Sequence, residues 1–400
     1  MLKIMLQQMI KRFFSRTIAP ILERSWLQGS VWTWVLAPLL WPISKLVWFT
    51  WRLSRASQKR TLPKKLAVPL LVVGNVYVGG VGKTPLVIAL VEHLQHLGLA
   101  VGVISRGYTP HDPKEVPSAQ AIRPKLIDDQ DKAFEVGDEP MLIFKRTRAP
   151  VCIATNRFLA AQHLLEQRPE LQLIISDDGL QSSHLSPDMT LCVFDDRGLG
   201  NGMTLPAGPL REPWPRVKGL HPSQLAPYQW VMNTGANPKI QGFNAQRRLA
   251  PVLCNALGER VTLQSLQAPS PQSIWALAGV ARPDMFFKML QEAGLPIQKT
   301  IALPDHAGME DYLQALAFDA LVVRDDTKDK PMNPEGIDRL VLCTEKDAVK
   351  LWTLMPQAYA VGLELELPEA FLRALEDALK VLMGTPLGFS NAQNEDIILR

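Results

Sequence analysis

Apolar residues in this chain gather into short runs that end in polar or charged groups, the pattern of strands buried on both faces of a parallel sheet. Leu66–Val73, Leu99–Ser105, Leu171–Ser176, Leu191–Phe194, Gln229–Asn233, Ile274–Leu277 and Leu340–Cys343 all read this way. Helical spacing follows several of them. Leu86, Ala89, Leu90 and Leu94 line one face after the first run, and Met141–Lys145, Met285–Ala293 and Ala348–Leu354 continue the alternation. Glu310-Asp311-Tyr312 opens a further helix. Strand and helix alternating in this way predict an α/β protein. Around residues 235–272 the chain turns polar and Pro-rich, which predicts a boundary between two α/β units.

The first 65 residues follow another rule. Leu2, Met5, Leu6, Met9, Ile10, Phe13 and Phe14 alternate at helical spacing with Lys3, Lys11, Arg12 and Arg16, an amphipathic interfacial pattern over residues 1–27. Residues 31–51 are far more apolar, yet Pro38, Pro42 and Lys45 interrupt them. The late start of the run and the lack of a small-residue cleavage site argue against a cleaved leader. A single span and a buried soluble helix are two further readings, and a helix or hairpin lying in one leaflet suits the segment best. Trp26, Trp32, Trp34, Trp41, Trp48 and Trp51 are the residue type of the headgroup level.

Charge sharpens this picture. The overall net charge of +4 hides twelve Lys or Arg and one acid, Glu23, in residues 1–65, against 31 bases and 38 acids in the remainder. A positive charge confined to one end fits a local anionic surface such as a membrane, not nucleic acid along the whole protein. With 47% hydrophobic and 20% charged residues the chain is not disordered. Its four cysteines, Cys152, Cys192, Cys254 and Cys343, form no CxxC pair, which excludes a disulfide scaffold and fits a reducing compartment.

The first strand leads into Gly79-Gly80-Val81-Gly82-Lys83-Thr84 and then a helix. Glycines let backbone N–H groups face phosphate oxygens, and a helix N-terminus favours anions. Lys83 has the reach for β- and γ-phosphates, and the Thr84 hydroxyl is a Mg²⁺ ligand type. Tyr77 stands where the usual pattern has its first glycine, so the loop is a variant. Arg106 ends the second strand and reads equally as a ligand contact or a surface base. Asp138 and Glu139 precede Pro140 and suit a helix start, with proton acceptance by Asp138 or metal assistance by Glu139 as the alternative. Asp177-Asp178-Gly179 ends a buried strand, the Walker B arrangement for Mg²⁺, or else a turn. The Gly- and Pro-rich stretch after Phe194 carries Arg197, Arg211 and Glu212 on a long loop. His306 read alone is a structural histidine, and Lys346 and Asp347 at a strand end either face a cleft or cap a helix.

In order, VGNVYVGGVGKTP, SRGY, VGDEP, SDDGLQ, RGLGNG, LPAGPLREP, AGVARP, PDH and TEKDAVK resemble the tetraacyldisaccharide 4′-kinase family of lipid A biosynthesis, over about residues 66–355. The resemblance implies ATP- and Mg²⁺-dependent phosphorylation of the 4′-hydroxyl of tetraacyldisaccharide 1-phosphate, giving lipid IVA at the cytoplasmic face of the inner membrane. It implies ATP at Gly79, Gly80, Val81, Gly82, Lys83 and Thr84, with Thr84, Asp177, Asp178 and Glu139 as candidate metal ligands. It also implies that Asp138 and His306 activate the sugar hydroxyl, while Arg106, Tyr108, Arg211 and Glu212 bind substrate. The chain departs from the family pattern at Thr109-Pro110, Ser182-Ser183 and Ala307.

The expected architecture is therefore α/β. It comprises a P-loop NTPase-like parallel sheet over 66–235, a second, smaller α/β domain over 236–400, and an N-terminal membrane-associated helical segment over 1–65. The expected partners are ATP, an acylated glucosamine disaccharide 1-phosphate and a membrane surface through residues 1–60, with no nucleic acid and no obligate protein partner. Two other classes stay open on the residues alone: a membrane-associated P-loop ATPase without a lipid acceptor, and a non-catalytic nucleotide-binding scaffold.

Overall fold

The computed structural model describes Trp26, residues 40–46, 48–49, 64–107, 123–182, 185–214, 227–268, 273–305, 307–322 and 339–384, except the side chains of Phe134 and residues 316–322. Most of the predicted amphipathic segment over 1–27 therefore lies outside the described residues. Among the described residues no helix is long and apolar enough to cross a membrane.

Two sheets organise the molecule. The first has eight strands: β1 (Leu70–Gly74), β2 (Val101–Ser105), β3 (Lys125–Leu126), β4 (Val151–Ile153), β5 (Leu173–Asp177), β6 (Met189–Phe194), β7 (Tyr228–Asn233) and β8 (Phe243–Asn244), in spatial order β3-β4-β2-β5-β1-β6-β7-β8. All neighbours are parallel except β3 with β4. The predicted runs form its centre, and β1, β2, β5 and β6 are buried at every residue. β1 lies between β5 and β6, pairing Val73 with both Asp177 and Leu191. The chain runs from β1 to β2 on one side and from β5 to β6 on the other, so a crevice opens between the carboxyl ends of β1 and β5, where such sheets bind ligands.

The helices on this sheet are α1 (Lys83–His96), α2 (Ala133–Val136), α3 (Asp138–Thr147) and α4 (Arg157–Gln167). In α1 the expected apolar face is inward, with Leu86, Leu90 and Leu94 fully buried. Each contributes about 1.5–3 kcal/mol through removal from water. The Asn156 side chain starts α4 by accepting the Phe158 and Leu159 amides at 3.0 and 3.4 Å.

A two-stranded ribbon of β9 (Gln246–Leu249) and β16 (Leu363–Glu366) joins this sheet to the second. The second contains β10 (Val252–Cys254), β11 (Arg260–Thr262), β12 (Ser273–Ala278), β13 (Ile297–Ala302), β14 (Arg339–Thr344) and β15 (Tyr359–Val361), in order β11-β10-β15-β14-β12-β13. Helices α5 (Pro283–Glu292), α6 (Met309–Val322) and α7 (Glu345–Leu351) accompany it. The last helix, α8 (Glu369–Met383), follows the second sheet in sequence but packs Phe371, Leu375, Ala378 and Leu379 into the core of the first. Short strands and the ribbon thus occupy much of the predicted 235–272 boundary, and β13 adds an edge strand without an apolar run.

Candidate active site

The loop after β1 is built by its own residues and braced by later strands. Gly79 and Gly82 have φ of +100° and +85°, a region that penalises any Cβ. Gly82 turns the chain directly into α1. The Asn75 amide donates to the Tyr77 and Gly79 carbonyls at 2.7 and 3.3 Å, and Lys83 donates to Asn75 Oδ1 at 3.1 Å. Arg197 stacks over the Tyr77 ring at 4.3 Å, donates to the Gly80 carbonyl at 2.6 Å and pairs with buried Asp195 at 2.8 Å. The tyrosine that replaces the usual glycine thus serves as a platform for a bracing cation. Thr234, just after β7, donates to the Val81 carbonyl at 2.7 Å, and Arg247 on β9 donates to Thr234 Oγ1 at 2.9 Å.

A cavity of about 370 Å³ lies above this loop. All six residues from Gly79 to Thr84 line it, together with Glu139, Asp178 and Arg211 from the first sheet. Arg247, Arg282, Phe286, Asp305 and Lys346 close it from the ribbon and the second sheet. Anionic phosphates, a cation-lined floor and an apolar wall at Met285 and Phe286 are compatible chemistries for such a space.

The two adjacent acids at the end of β5 have different fates. Asp178 takes φ +49°, which turns its carboxylate to Lys83 at 3.3 Å and Arg211 at 3.3 Å. Burial pushes its pKa up, but Lys83, Arg211 and Arg157 outweigh burial and hold it below the ordinary value. Asp177 is fully buried beneath it, and its Oδ1 has no hydrogen-bond partner among the described residues. Burial, then Glu139 and Asp178, push Asp177 up to about 7 despite Lys83 and Arg157. Arg157, buried at the start of α4, donates to the Asp177 and Asp178 carbonyls at 3.3 and 3.0 Å, fixing the turn.

A desolvated carboxylate oxygen without a partner, beside a second carboxylate and a P-loop threonine, fits a hard divalent cation. Among the described residues no three His, Cys, Asp or Glu side chains form a complete metal cage. Mg²⁺ fits that arrangement, because it usually takes one or two carboxylates and completes its shell with water and phosphate.

Asp138 begins α3 and is buried. Lys350 on α7 reaches its Oδ2 at 2.7 Å. Glu139 faces the cavity and meets Lys346 at 3.6 Å. Lys346 also binds Asp305 at 3.1 Å. Burial lowers the Lys346 pKa, but Glu139 and Asp305 more than restore it, so it stays a cation. Asp347 is not at the cleft. It is buried and receives the Gly279 amide at 2.9 Å, the Tyr312 hydroxyl at 2.6 Å and the Thr344 hydroxyl at 2.5 Å. The two readings of that strand end are thus divided between neighbouring residues.

Other predicted residues fall elsewhere. Glu212 is buried behind the loop, accepting from Gln181 at 3.1 Å, and Gln181 donates to the Asn75 carbonyl at 2.9 Å. Arg106 is exposed at the end of β2. Tyr108 and His306 lie outside the described residues. Sequence reasoning missed Asn75, Asp195, Arg247 and Lys350 as site residues. Asn75 stands in the loop motif and Asp195 lies two residues from its partner Arg197, but Arg247 and Lys350 carry no local signal because their partners Val81 and Asp138 are remote in sequence.

A sequence profile for tetraacyldisaccharide-1-P 4′-kinase (LpxK) matches residues 36–380. A tetraacyldisaccharide 4′-kinase of Polaromonas naphthalenivorans is 42% identical over 359 residues, covering 87% of this chain and 92% of that protein. Its counterpart in Herminiimonas arsenicoxydans is 34% identical over 377 residues, covering 91% and 96%. The crystal structure of LpxK from Aquifex aeolicus in complex with ATP superposes with a TM-score of 0.64 at 23% identity, covering 87% of this chain and 99% of that one.

Proposed function

This chain belongs to the tetraacyldisaccharide 4′-kinase family, and on that premise we propose how its residues carry out the transfer. It is a lipid kinase that moves the γ-phosphate of ATP to the 4′-hydroxyl of tetraacyldisaccharide 1-phosphate, forming lipid IVA. The observation that carries the assignment of roles is the shared cavity, where the P-loop, Asp178, Arg211 and Glu139 converge.

ATP binds with its phosphates over Gly79–Thr84, where the loop glycines and the α1 N-terminus favour anions. Lys83 and Arg211 offset the charge that spreads over the transferring phosphoryl group. The ion pairs of Asp178 with both cations hold them in place before substrate arrives. Thr84, Asp177 and Asp178 would hold Mg²⁺, with Glu139 beside them. When bound, the ion would supply neutralisation of phosphate charge. The raised pKa of Asp177 supports this reading, since a cation is the natural partner for a buried carboxylate oxygen that accepts no hydrogen bond.

Phosphoryl transfer depends mainly on positioning, and a placed base adds about 10²–10⁴-fold for a hydroxyl nucleophile. Asp138 accepts the 4′-hydroxyl proton and His306 orients it. Arg211, with Arg106 and Tyr108, forms the acceptor side, and Glu212 braces the loop from behind through Gln181. The acylated acceptor partitions into lipid, so the enzyme works from the cytoplasmic face of the inner membrane through its N-terminal segment. Exposed Trp41, Ile43, Leu46 and Phe49 on the helix over residues 40–46 and the adjoining 48–49 support that contact. Ser44 ties the helix to the Thr204 carbonyl at 2.8 Å, on the loop that leads to Arg211.

The test is transfer of label from γ-labelled ATP to tetraacyldisaccharide 1-phosphate in detergent micelles with Mg²⁺, with Lys83→Ala as control. Labelled lipid with the intact protein alone is the expected result. Steady phosphate release without labelled lipid would instead favour an ATPase.

A further inference from the structure

The two groups assigned to the acceptor proton come from different halves of the molecule. Asp138 opens α3 on the first sheet, while Asp305 and Ala307 flank position 306 after β13 of the second. No covalent link sets their separation. Helix α7 spans the gap with two lysines one turn apart. Lys350 donates to Asp138 Oδ2 at 2.7 Å and to the Ala307 carbonyl at 3.1 Å. Lys346 repeats the arrangement one turn earlier, between Glu139 at 3.6 Å and Asp305 at 3.1 Å. Each lysine thus joins one of two adjacent acids on α3 to one of the two residues that flank position 306.

The helix that carries them is itself fixed. Thr344 caps it by accepting the Asp347 amide at 3.2 Å. Asp347 anchors its first turn to the Gly279 amide and to the Tyr312 hydroxyl of α6. The Asp138 and Lys350 side chains are 7% and 15% exposed, so their pair is not a surface bridge of negligible strength. Lys350 also does not line the nucleotide cavity, whereas Lys346 does.

The geometry points to Lys350 as a positioning residue for the transfer, one that fixes the Asp138 carboxylate and the Ala307 carbonyl at a single separation. This rests on the reading of Asp138 as proton acceptor. Misplacing a catalytic group by about 1 Å costs roughly 10²-fold, and that is the scale expected here.

Full-length Lys350→Met, Lys350→Arg, Asp138→Asn and the double variant Asp138→Asn/Lys350→Met are assayed for labelled lipid at varied ATP, with thermal unfolding in parallel. Lys350→Met lowers kcat about 10²-fold while the KM for ATP stays within about twofold. Lys350→Arg, which keeps a cation and donors, recovers most of the loss. The double variant is no slower than Asp138→Asn, because a group that acts only through Asp138 has nothing left to position. Should Lys350→Met fail to fold, Lys350→Gln is read by the same split.

Wild-type turnover by Lys350→Met, with Asp138→Asn inactive, overturns the proposal and leaves the base reading intact. Losses that multiply in the double variant, or that raise the KM for ATP in step with a lower Tm, make Lys350 merely structural and also overturn it. Near-normal turnover by Asp138→Asn removes the base reading, and the proposal with it.

Discussion

The two halves of the site are built by different means. The phosphate half sits on the first sheet, where parallel register brings the ends of β1, β5, β6 and β7 side by side, so that Lys83 meets Asp178, Arg197 meets Gly80 and Thr234 meets Val81. The half we assign to the acceptor is closed across two sheets by ion pairs, Lys350 with Asp138 and Arg146 with Glu345. A hydrogen-bonded sheet interior is stiff and close-packed, whereas a junction of side-chain ion pairs holds its geometry by a few contacts. Nucleotide binding should therefore survive changes at the junction that damage transfer.

The largest effect comes from breaking the phosphate half. Lys83→Ala removes the cation that both Asn75 and Asp178 hold, and kcat/KM falls by about 10³-fold or more in the lipid-labelling assay. Breaking the acceptor half gives a different signature. Asp138→Asn lowers kcat about 10²–10³-fold in that assay and leaves equilibrium ATP binding, followed by nucleotide fluorescence, near wild type.

Asp177 sharpens the comparison through stability. Its pKa is raised from 3.8 to about 7 in the folded protein, so the fold prefers the neutral acid. That contribution is full below about pH 4 and is lost as pH rises through 7. The Tm of the metal-free enzyme should fall between pH 5 and pH 8 more steeply than that of Asp177→Asn. Added Mg²⁺ should recover the loss at pH 8 in the wild type alone. An identical slope in both proteins would remove Asp177 as its source.

The smallest effect tests the junction itself. Arg146 pairs with Glu345 at 2.5 Å, near Glu92 at 3.9 Å and Glu364 at 4.0 Å. Arg146→Ala should cost about 1 kcal/mol in urea unfolding, with the deficit reduced in high salt as the remaining acids are screened. A cost below about 0.3 kcal/mol would mean that the junction does not depend on this cluster.

Much of this was legible in the sequence. Glycines, a lysine and a threonine between an apolar run and an amphipathic helix specify a phosphate loop, and the structure lines a cavity with all six residues. The strings LPAGPLREP and TEKDAVK carried the family resemblance, and the profile match over residues 36–380 supports it. Less was legible wherever the deciding partner is remote. Asp177 and Asp178 read alike in the chain, yet a single positive φ turns Asp178 to the cations and leaves Asp177 buried beneath. Lys350 looks like a solvated helix base until its partner 212 residues away is placed beside it. The α8 pattern of Phe371, Leu375, Ala378 and Leu379 shows that one face is buried, but not that the face is buried on the first sheet.

The sequence by itself determined the elements and their local chemistry: buried strands, the phosphate loop, acids at strand ends, and a basic, Trp-rich N-terminus. These follow from periodicity, backbone sterics and side-chain type, which act over a few residues. Only the tertiary structure decided which acid faces the cavity, which lysine grips Asp138, and how two sheets share one cleft. Those outcomes depend on distances between groups far apart in the chain, and burial and charge act through space without regard to sequence separation.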